Sequence, residues 1–222
     1  MPIVLIFVAP VLAWGGQAGS RGAMGDARQA DPATLCETAV TSAEYAHRLP
    51  PRLLGAISLT ETGRVDPDSG RIRPWPWTIN AEGEGQFFAT REAAIAAVTA
   101  LQARGVRSID VGCLQVNLLN HPEAFASLEA AFDPRDNADY AARFLNSLYD
   151  ASKDWKSAVA AYHSETPALG DAYRVLVMAR WQNGDLHAGD APPVVYGDFR
   201  HAQSPYAAFE PASRVYGAFA PR

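Results

Sequence analysis

The chain has few residues of the kinds that bind metals or nucleic acids. Only 2 of its 222 residues are cysteine and 5 are histidine, and none of the histidines pairs with a cysteine at a metal-ligand spacing. Lys and Arg number 19 against 24 Asp and Glu, a formal net charge of -5, so the composition provides no basic surface for nucleic acid. We therefore expect no metal site, no cofactor and no nucleic-acid partner.

Long apolar runs are also scarce. The one at residues 3–14, IVLIFVAPVLAW, is shorter than the about 20 residues that span a bilayer, but it fits the apolar core of a secretory signal. No Lys or Arg precedes it, which leaves an uncleaved anchor or a misassigned start as alternatives. We expect a signal peptide over about residues 1–20, a flexible leader over 21–32, and an exported, periplasmic protein.

The two cysteines fit that location. In an oxidising compartment Cys36 and Cys113, a pair with no leftover cysteine, indicate one disulfide. The alternative is two buried free thiols.

The remaining composition predicts one mainly α-helical domain over residues 33–183. Of the chain, 48 % is apolar, enough for one core. Gly, Pro and aromatic residues at 65–89 predict a short β-hairpin or a pair of extended segments. Residues 184–222 have no period and predict a disordered tail. Helix starts are indicated by these residues: Asp31, Pro50, Thr90, Asp133, Asp154 and Thr166.

One predicted helix, within residues 49–64, places a carboxylate where its pattern calls for an apolar side chain. Leu54, Ile57 and Glu61 lie on one side of it. Burial and the negative end of the helix dipole would raise the pKa of Glu61, so that it holds a proton near neutral pH and can act as a general acid. The alternative is a surface Glu61 paired with Arg64.

A second polar signal interrupts the apolar run at residues 106–117, VRSIDVGCLQVN. Gly112 permits a positive φ or a close backbone approach. Asp110, Gln115 and Asn117 would need hydrogen-bond partners inside the protein. A ligand with many hydroxyl and amide groups would supply them; the alternative is a polar network that serves only the fold.

Two indoles, Trp75 and Trp77, occupy alternate positions. Alternate residues of a strand face one side, so these two would present one flat apolar surface suited to sugar rings. The alternative is packing over the core.

Three short segments follow one another in the order TET at 60–62, DVGCLQVN at 110–117 and AYHS at 161–164. Together they resemble the soluble lytic transglycosylase family, goose-lysozyme-like enzymes that cleave peptidoglycan glycan strands. The family has a catalytic Glu followed by Ser, then Gly-Leu-Met-Gln-Ile-Asn, then Ala-Tyr-Asn. The matching residues are Glu61, Gly112, Leu114, Gln115, Val116, Asn117, Ala161 and Tyr162. The departures are Thr62, Cys113, His163 and Ser164.

The resemblance, which covers about residues 33–182, implies a lysozyme-like fold and cleavage of the β-1,4 bond between N-acetylmuramic acid and N-acetylglucosamine. It implies one acid, Glu61, with the substrate's acetamido group stabilising C1 and its 6-hydroxyl closing a 1,6-anhydro ring. Gln115 and Asn117 would bind the sugar, and Tyr162 would position Glu61 or the acetamido group unless it is a core residue. The other candidate carboxylates, Asp110, Glu82 and Glu84, lie in no segment that resembles a family catalytic motif.

Among family members the chain is most similar to small specialised enzymes that open the wall for flagella or secretion machines. This implies peptidoglycan glycan strands as substrate and a flagellar or secretion-system protein bound through the tail. Two rival functions share these features: a hydrolytic lysozyme, and an inactive peptidoglycan-binding adaptor.

Overall fold

A computed structural model describes residues 31–183; the predicted signal peptide, nearly all of the leader and the tail at 184–222 lie outside the described residues. Within 31–183 the helices are α1 (Pro32–Ala46), α2 (Leu53–Thr62), α3 (Arg91–Ala103), α4 (Leu128–Ala131), α5 (Pro134–Ser152), α6 (Trp155–His163) and α7 (Pro167–Asn183). The strands are β1 (Gly63–Val65), β2 (Ile72–Pro74), β3 (Thr78–Ala81), β4 (Glu84–Phe87), β5 (Ile109–Val111) and β6 (Val116–Asn117). The fold is mainly α, as predicted.

Most helix starts follow from local capping. The side chains of Asp31, Thr90, Asp133 and Asp154 each accept a hydrogen bond from a backbone N–H in the first turn of the helix that follows. The short helix α4, capped by Ser127, was not predicted, because four residues are too few to show a period.

Helix α2 starts differently from the prediction. Pro50 and Pro51 precede the helix, which begins at Leu53 after Arg52 in a left-handed conformation, with φ of 67°. Arg52 makes no side-chain cap. Instead Glu44 of α1 accepts hydrogen bonds from the backbone N–H groups of Arg52 and Gly55, both at 2.9 Å. A carboxylate from another helix therefore caps α2.

The main core surrounds α2. This helix packs against α1 and α7, and α5 and α6 complete the cluster. Leu53, Leu54 and Ile57 are fully buried there. Eight of the ten residues of α2 are buried, so its polar side chains also point into the protein.

The extended part is larger than the predicted hairpin at residues 65–89. Strands β1 and β2 form one hairpin, with Arg64 opposite Arg73. Strands β3 and β4 form a second, and β3 also pairs with β5 to give an antiparallel sheet in the order β4-β3-β5-β6. A second apolar cluster lies between this sheet and α3. The hairpin prediction was thus incomplete, because the strand that extends the sheet comes from beyond α3.

The predicted disulfide is confirmed: Cys36 and Cys113 are bonded, so α1 is tied to the turn between β5 and β6. No helix in residues 31–183 is both long and apolar enough to cross a membrane. The same residues contain no group of three or more His, Cys, Asp or Glu side chains that could hold a metal ion.

Candidate active site

Glu61 lies in the last turn of α2 and is buried, with 5 % of its surface exposed. The hydroxyl of Tyr173, on α7, donates a hydrogen bond of 2.6 Å to Glu61 Oε1. The predicted burial is therefore confirmed. The alternative, a surface pair with Arg64, is wrong, because the Arg64 guanidinium lies 3.8 Å from the centre of the Trp75 ring instead.

Tyr173 is itself held in place by burial and by a stacked ring. It is 1 % exposed, and His163 at the end of α6 stacks on its ring with centroids 4.6 Å apart and planes 7° from parallel. Ring and hydroxyl are thus fixed relative to Glu61, so the hydrogen bond is preorganised.

A buried cation lies on the same face of α7. Arg180 follows Tyr173 by seven residues, two helical turns, and its Nη1 lies 3.4 Å from Thr60 Oγ1. Burial lowers the pKa of Arg180, while the neighbouring Tyr173 and Glu61 act in the opposite direction. An arginine stays protonated under these conditions, so a positive charge acts on Glu61 and favours its anionic form, whereas burial favours the neutral form.

The turn between β5 and β6 approaches α2 closely. Gly112 has φ of 78°, and a Cβ added there would lie 2.4 Å from Asn137 Nδ2. The turn therefore requires glycine both for its positive φ and for the close approach of Asn137. The hydroxyls of Ser58 and Thr62 on α2 donate to the carbonyl of Cys113, at 3.0 and 3.2 Å. These bonds join the turn to the helix that positions Glu61.

Asn137 of α5 holds the turn from the other side. Its Oδ1 accepts from the N–H of Leu114 at 2.9 Å, and its Nδ2 donates to the carbonyls of Val111 and Ala131 at 3.0 and 3.1 Å. Because Asn137 is completely buried, this amide replaces water for three backbone groups.

Gln115 lies inside this turn, buried and with φ of 48°. Its Nε2 donates to the carbonyls of Thr78 and Gly112, at 3.1 and 3.0 Å. Its Oε1 is buried and accepts no hydrogen bond from any residue in 31–183. Gln115 therefore retains one acceptor that is buried and has no partner among the described residues.

Asn117 has a different role from the predicted one. Its Nδ2 donates to Asp110 Oδ1 at 2.6 Å and Ser108 Oγ at 3.2 Å, and its Oδ1 accepts from the N–H groups of Leu119 and Asn120, both at 3.0 Å. All four hydrogen-bonding positions of the amide are occupied. The geometry thus gives Asn117 a structural role and does not support it as a sugar ligand.

Tyr162, from the third segment, also differs from the expectation that it positions Glu61. Its hydroxyl donates to the carbonyl of Leu114 at 2.9 Å, and the hydroxyl on Glu61 belongs to Tyr173. Burial and the negative charges of Glu61 and Asp110 raise the pKa of Tyr162 well above its usual value. The phenol therefore stays neutral, and it connects the third segment to the second beside the candidate acid.

Trp75 and Trp77 do not form the predicted flat surface. They lie in the bend between β2 and β3, and their rings meet edge to face, 84° apart. Trp75 Nε1 donates to the carbonyl of Phe88, and Arg64 covers one face of that ring. The prediction that both indoles face one side was wrong because neither residue is in a strand.

The other candidate carboxylates are separated from one another. Glu82 and Glu84 are exposed around the β3–β4 turn, whereas Asp110 is buried in β5 beside Asn117. Only Asp110 is close enough to the site for its charge to act on Tyr162.

The sequence reasoning missed three residues that complete the site: Tyr173, Arg180 and Asn137. Asn137 precedes Ala141 and Leu145 at helical spacing, all three buried on one face of α5; an amide on an apolar face was the available signal. Tyr173 and Arg180, also two turns apart, gave the same kind of signal on α7.

One comparison with known proteins supports the family resemblance. The family model described as Transglycosylase SLT domain matches residues 92–174. That range contains the second and third segments and Tyr173, and it starts after Glu61. The match supports the lytic transglycosylase family and glycan-cleaving activity on peptidoglycan in general, and the mainly α architecture with β-hairpins is consistent with a lysozyme-like SLT domain. No curated protein and no solved structure matches the chain.

Proposed function

We propose that the protein is a lytic transglycosylase that cleaves the β-1,4 bond between N-acetylmuramic acid and N-acetylglucosamine, leaves 1,6-anhydro-muramoyl ends, and so opens the wall locally. The observation that carries the proposal is Glu61, a buried carboxyl group that receives a hydrogen bond from Tyr173, next to the segments matched by the SLT family model.

Glu61 acts first as an acid and then as a base. Its proton passes to the glycosidic oxygen as the bond from that oxygen to C1 breaks, and the acetamido oxygen of the same muramic acid bonds to C1. The Glu61 carboxylate then takes the proton of the 6-hydroxyl, whose oxygen bonds to C1 and displaces the acetamido oxygen. An intramolecular hydroxyl competes well with water, with effective molarities on the order of 10⁵ M or more.

Tyr173 and Arg180 promote the first step. The Tyr173 hydroxyl donates to Glu61 Oε1, and the charge of Arg180 acts on the same carboxyl group. Both stabilise the anion that forms as the proton leaves, and they are in place before the reaction.

Gln115 supplies the substrate contact. A buried acceptor without a partner is unfavourable, and Gln115 Oε1 is one. A shift of this side chain on binding would bring Oε1 to an N–H or hydroxyl donor of the amino sugar.

The periplasm is the proposed location, and the Cys36–Cys113 disulfide supports it because disulfides persist in oxidising compartments. A flagellar or secretion-system partner for residues 184–222 stays a prediction.

Digestion of purified sacculi followed by mass spectrometry of the products tests the function. We expect 1,6-anhydro muropeptides from the wild-type protein and about 10³-fold less product from Glu61→Gln. Glu92→Gln, at an exposed position in the first turn of α3, is the matched control and should retain full activity.

Three results would contradict the proposal. Reducing ends in place of anhydro ends would identify a hydrolytic lysozyme. Sedimentation with sacculi without any released product would identify a binding adaptor. Near wild-type turnover by a folded Glu61→Gln variant would show that another group is the acid.

A further inference from the structure

A half-buried guanidinium lies near the end of the helix that positions Glu61. Arg64 is in β1, three residues after Glu61, so the two backbones are at most about 11 Å apart. Its guanidinium carbon lies 3.8 Å from the centre of the Trp75 ring. The backbone N–H of Trp75 donates to Thr62 Oγ1 at 3.3 Å. This contact attaches the stacked pair, Arg64 on Trp75, to the last turn of α2.

The Arg64 guanidinium has donors that the protein does not use. Among residues 31–183 it makes no hydrogen bond and no ion pair, only the contact with Trp75. Burial lowers the pKa of Arg64, and the charges of Asp66 and Asp31 oppose that effect without contact. A partly buried guanidinium with five N–H donors is ready to bind an acceptor.

The two nearby carboxylates are already engaged by another arginine. Arg73 forms ion pairs with Asp31, with Glu37 at 2.8 Å and with Asp66 at 3.6 Å. These bonds hold the β1–β2 hairpin against α1 and fix the position of Arg64 in the opposite strand. The protein thus neutralises Arg73 and leaves Arg64 without a contacting anion.

We propose that Arg64, stacked on Trp75, binds a carboxylate of the peptide attached to muramic acid, an inference that rests on the proposed function. The peptide starts at the lactyl group of the muramic acid and has free carboxylates along its length. A guanidinium fork matches a carboxylate in two parallel hydrogen bonds. The guanidinium carbon lies over the Trp75 ring, and this contact limits the positions that the fork can take. Arg64 is therefore a specificity residue for strands that still bear peptides.

Two substrates from one source test the inference: peptide-bearing glycan strands, and the same strands after an amidase has removed the peptides. The readout is the ratio of kcat/KM on the first to kcat/KM on the second. We expect wild-type protein to prefer peptide-bearing strands, and Arg64→Gln to lower the ratio about tenfold through KM, as loss of a charge-assisted hydrogen-bond pair does. Arg64→Lys, which keeps the charge without the fork, should give an intermediate ratio. The matched control is Arg104→Gln, at the exposed end of α3, which should leave the ratio unchanged.

An unchanged ratio in Arg64→Gln and Arg64→Lys overturns the inference, since Arg64 is then only solvated. An equal loss on both substrates also overturns it, because Arg64 would then only shape the cleft. If Arg64→Gln does not fold, as judged by circular dichroism, the ratio of Arg64→Lys decides. Wild-type protein that cleaves neither substrate refutes the proposed function itself, a result distinct from any change in the ratio.

Discussion

Two phenols approach the candidate acid from different helices, and their hydroxyls have different acceptors. Tyr173 donates to Glu61 Oε1, whereas Tyr162 donates to the carbonyl of Leu114. Under the proposed function the first bond acts on the reacting group, while the second fixes the turn that contains Gln115. The proposal thus divides catalytic and structural roles between two residues of the same type.

Replacement of Tyr173 by Phe tests this division. Without the hydroxyl the anion that forms on Glu61 loses one donor, so kcat should fall about tenfold to a hundredfold. The hydrogen bond from Tyr173 favours the charged form of Glu61. Without it Glu61 should keep its proton to higher pH, so the alkaline limb of the pH profile should move to higher pH. Tyr149→Phe, which keeps a ring stacked on Trp155, is the control, and it should change neither kcat nor the profile. A Tyr173→Phe variant with unchanged kcat and profile would show that the bond is only structural.

A pair of glycines separates backbone strain from steric overlap. Gly112 and Gly105 both have positive φ, 78° and 88°, but a Cβ at Gly105 would meet nothing within 4 Å, while one at Gly112 would overlap Asn137. We expect Gly105→Ala to reduce the free energy of unfolding by about 1 to 2 kcal/mol, and Gly112→Ala to reduce it by about 3 kcal/mol or more. Guanidinium unfolding measures both. Equal losses would mean that Asn137 moves aside at little cost.

The sequence indicated which positions break a local pattern better than it indicated their partners. Glu61 and Gly112 were found because each breaks a local pattern, a carboxylate on an apolar helix face and a glycine in an apolar run. The partner Asn137 is separated from Gly112 by helix α4. No local pattern specifies which side chains meet across that distance, and the same limit explains why Tyr162 was expected where Tyr173 lies.

At the scale of elements, helix α2 depends on a group outside itself. Its N-terminus lacks a local side-chain cap, and Glu44 of α1 accepts the N–H groups of Arg52 and Gly55 instead. A carboxylate that accepts from two backbone N–H groups at a helix N-terminus also interacts favourably with the positive end of the helix dipole.

Replacement of Glu44 by Gln should therefore destabilise α2. The amide can present one acceptor oxygen, so one N–H group loses its partner, and we expect the free energy of unfolding to fall by about 1 to 3 kcal/mol. Hydrogen exchange at the amides of Arg52 and Gly55 should accelerate. Glu84→Gln, at an exposed position in β4, is the control and should change stability by no more than about 0.5 kcal/mol. Unchanged exchange at both amides in Glu44→Gln would refute the capping role.

Elements with local signals were predicted, and elements that need distant partners were not. Capping residues gave the starts of α1, α3, α5 and α6 because a cap and its helix are adjacent in sequence. The four-stranded sheet was missed because β3 pairs with β5, and α3 lies between them in the chain. The alternate positions of Trp75 and Trp77 were also misleading, because two residues in a bend can have the same spacing in the sequence as two residues on one face of a strand.

At the scale of the whole molecule, the site is assembled where two layers meet. Helices α2 and α7 supply Glu61 and Tyr173, and the sheet supplies the turn with Gln115. The turn is attached to the helical layer by Asn137, by two hydroxyls of α2 and by the Cys36–Cys113 disulfide. With several attachments, the geometry of the site should not depend on any one of them.

The disulfide provides a test of that independence. It closes a segment of 77 residues, and the chain-entropy model gives about 4.5 kcal/mol for such a loop, an upper figure. We expect the Cys36→Ala, Cys113→Ala double variant to lose about 2 to 4 kcal/mol of unfolding free energy. Below its melting temperature it should retain most of its activity on sacculi, because the hydrogen bonds of Asn137, Ser58 and Thr62 still hold the turn. Guanidinium unfolding measures the loss of unfolding free energy. The amount of soluble product freed from sacculi at 20 to 25 °C measures the activity, under the same conditions for the variant and the wild-type protein. A variant that stays folded but loses product release would show that the covalent link, rather than the hydrogen bonds, sets the distance between Glu61 and Gln115.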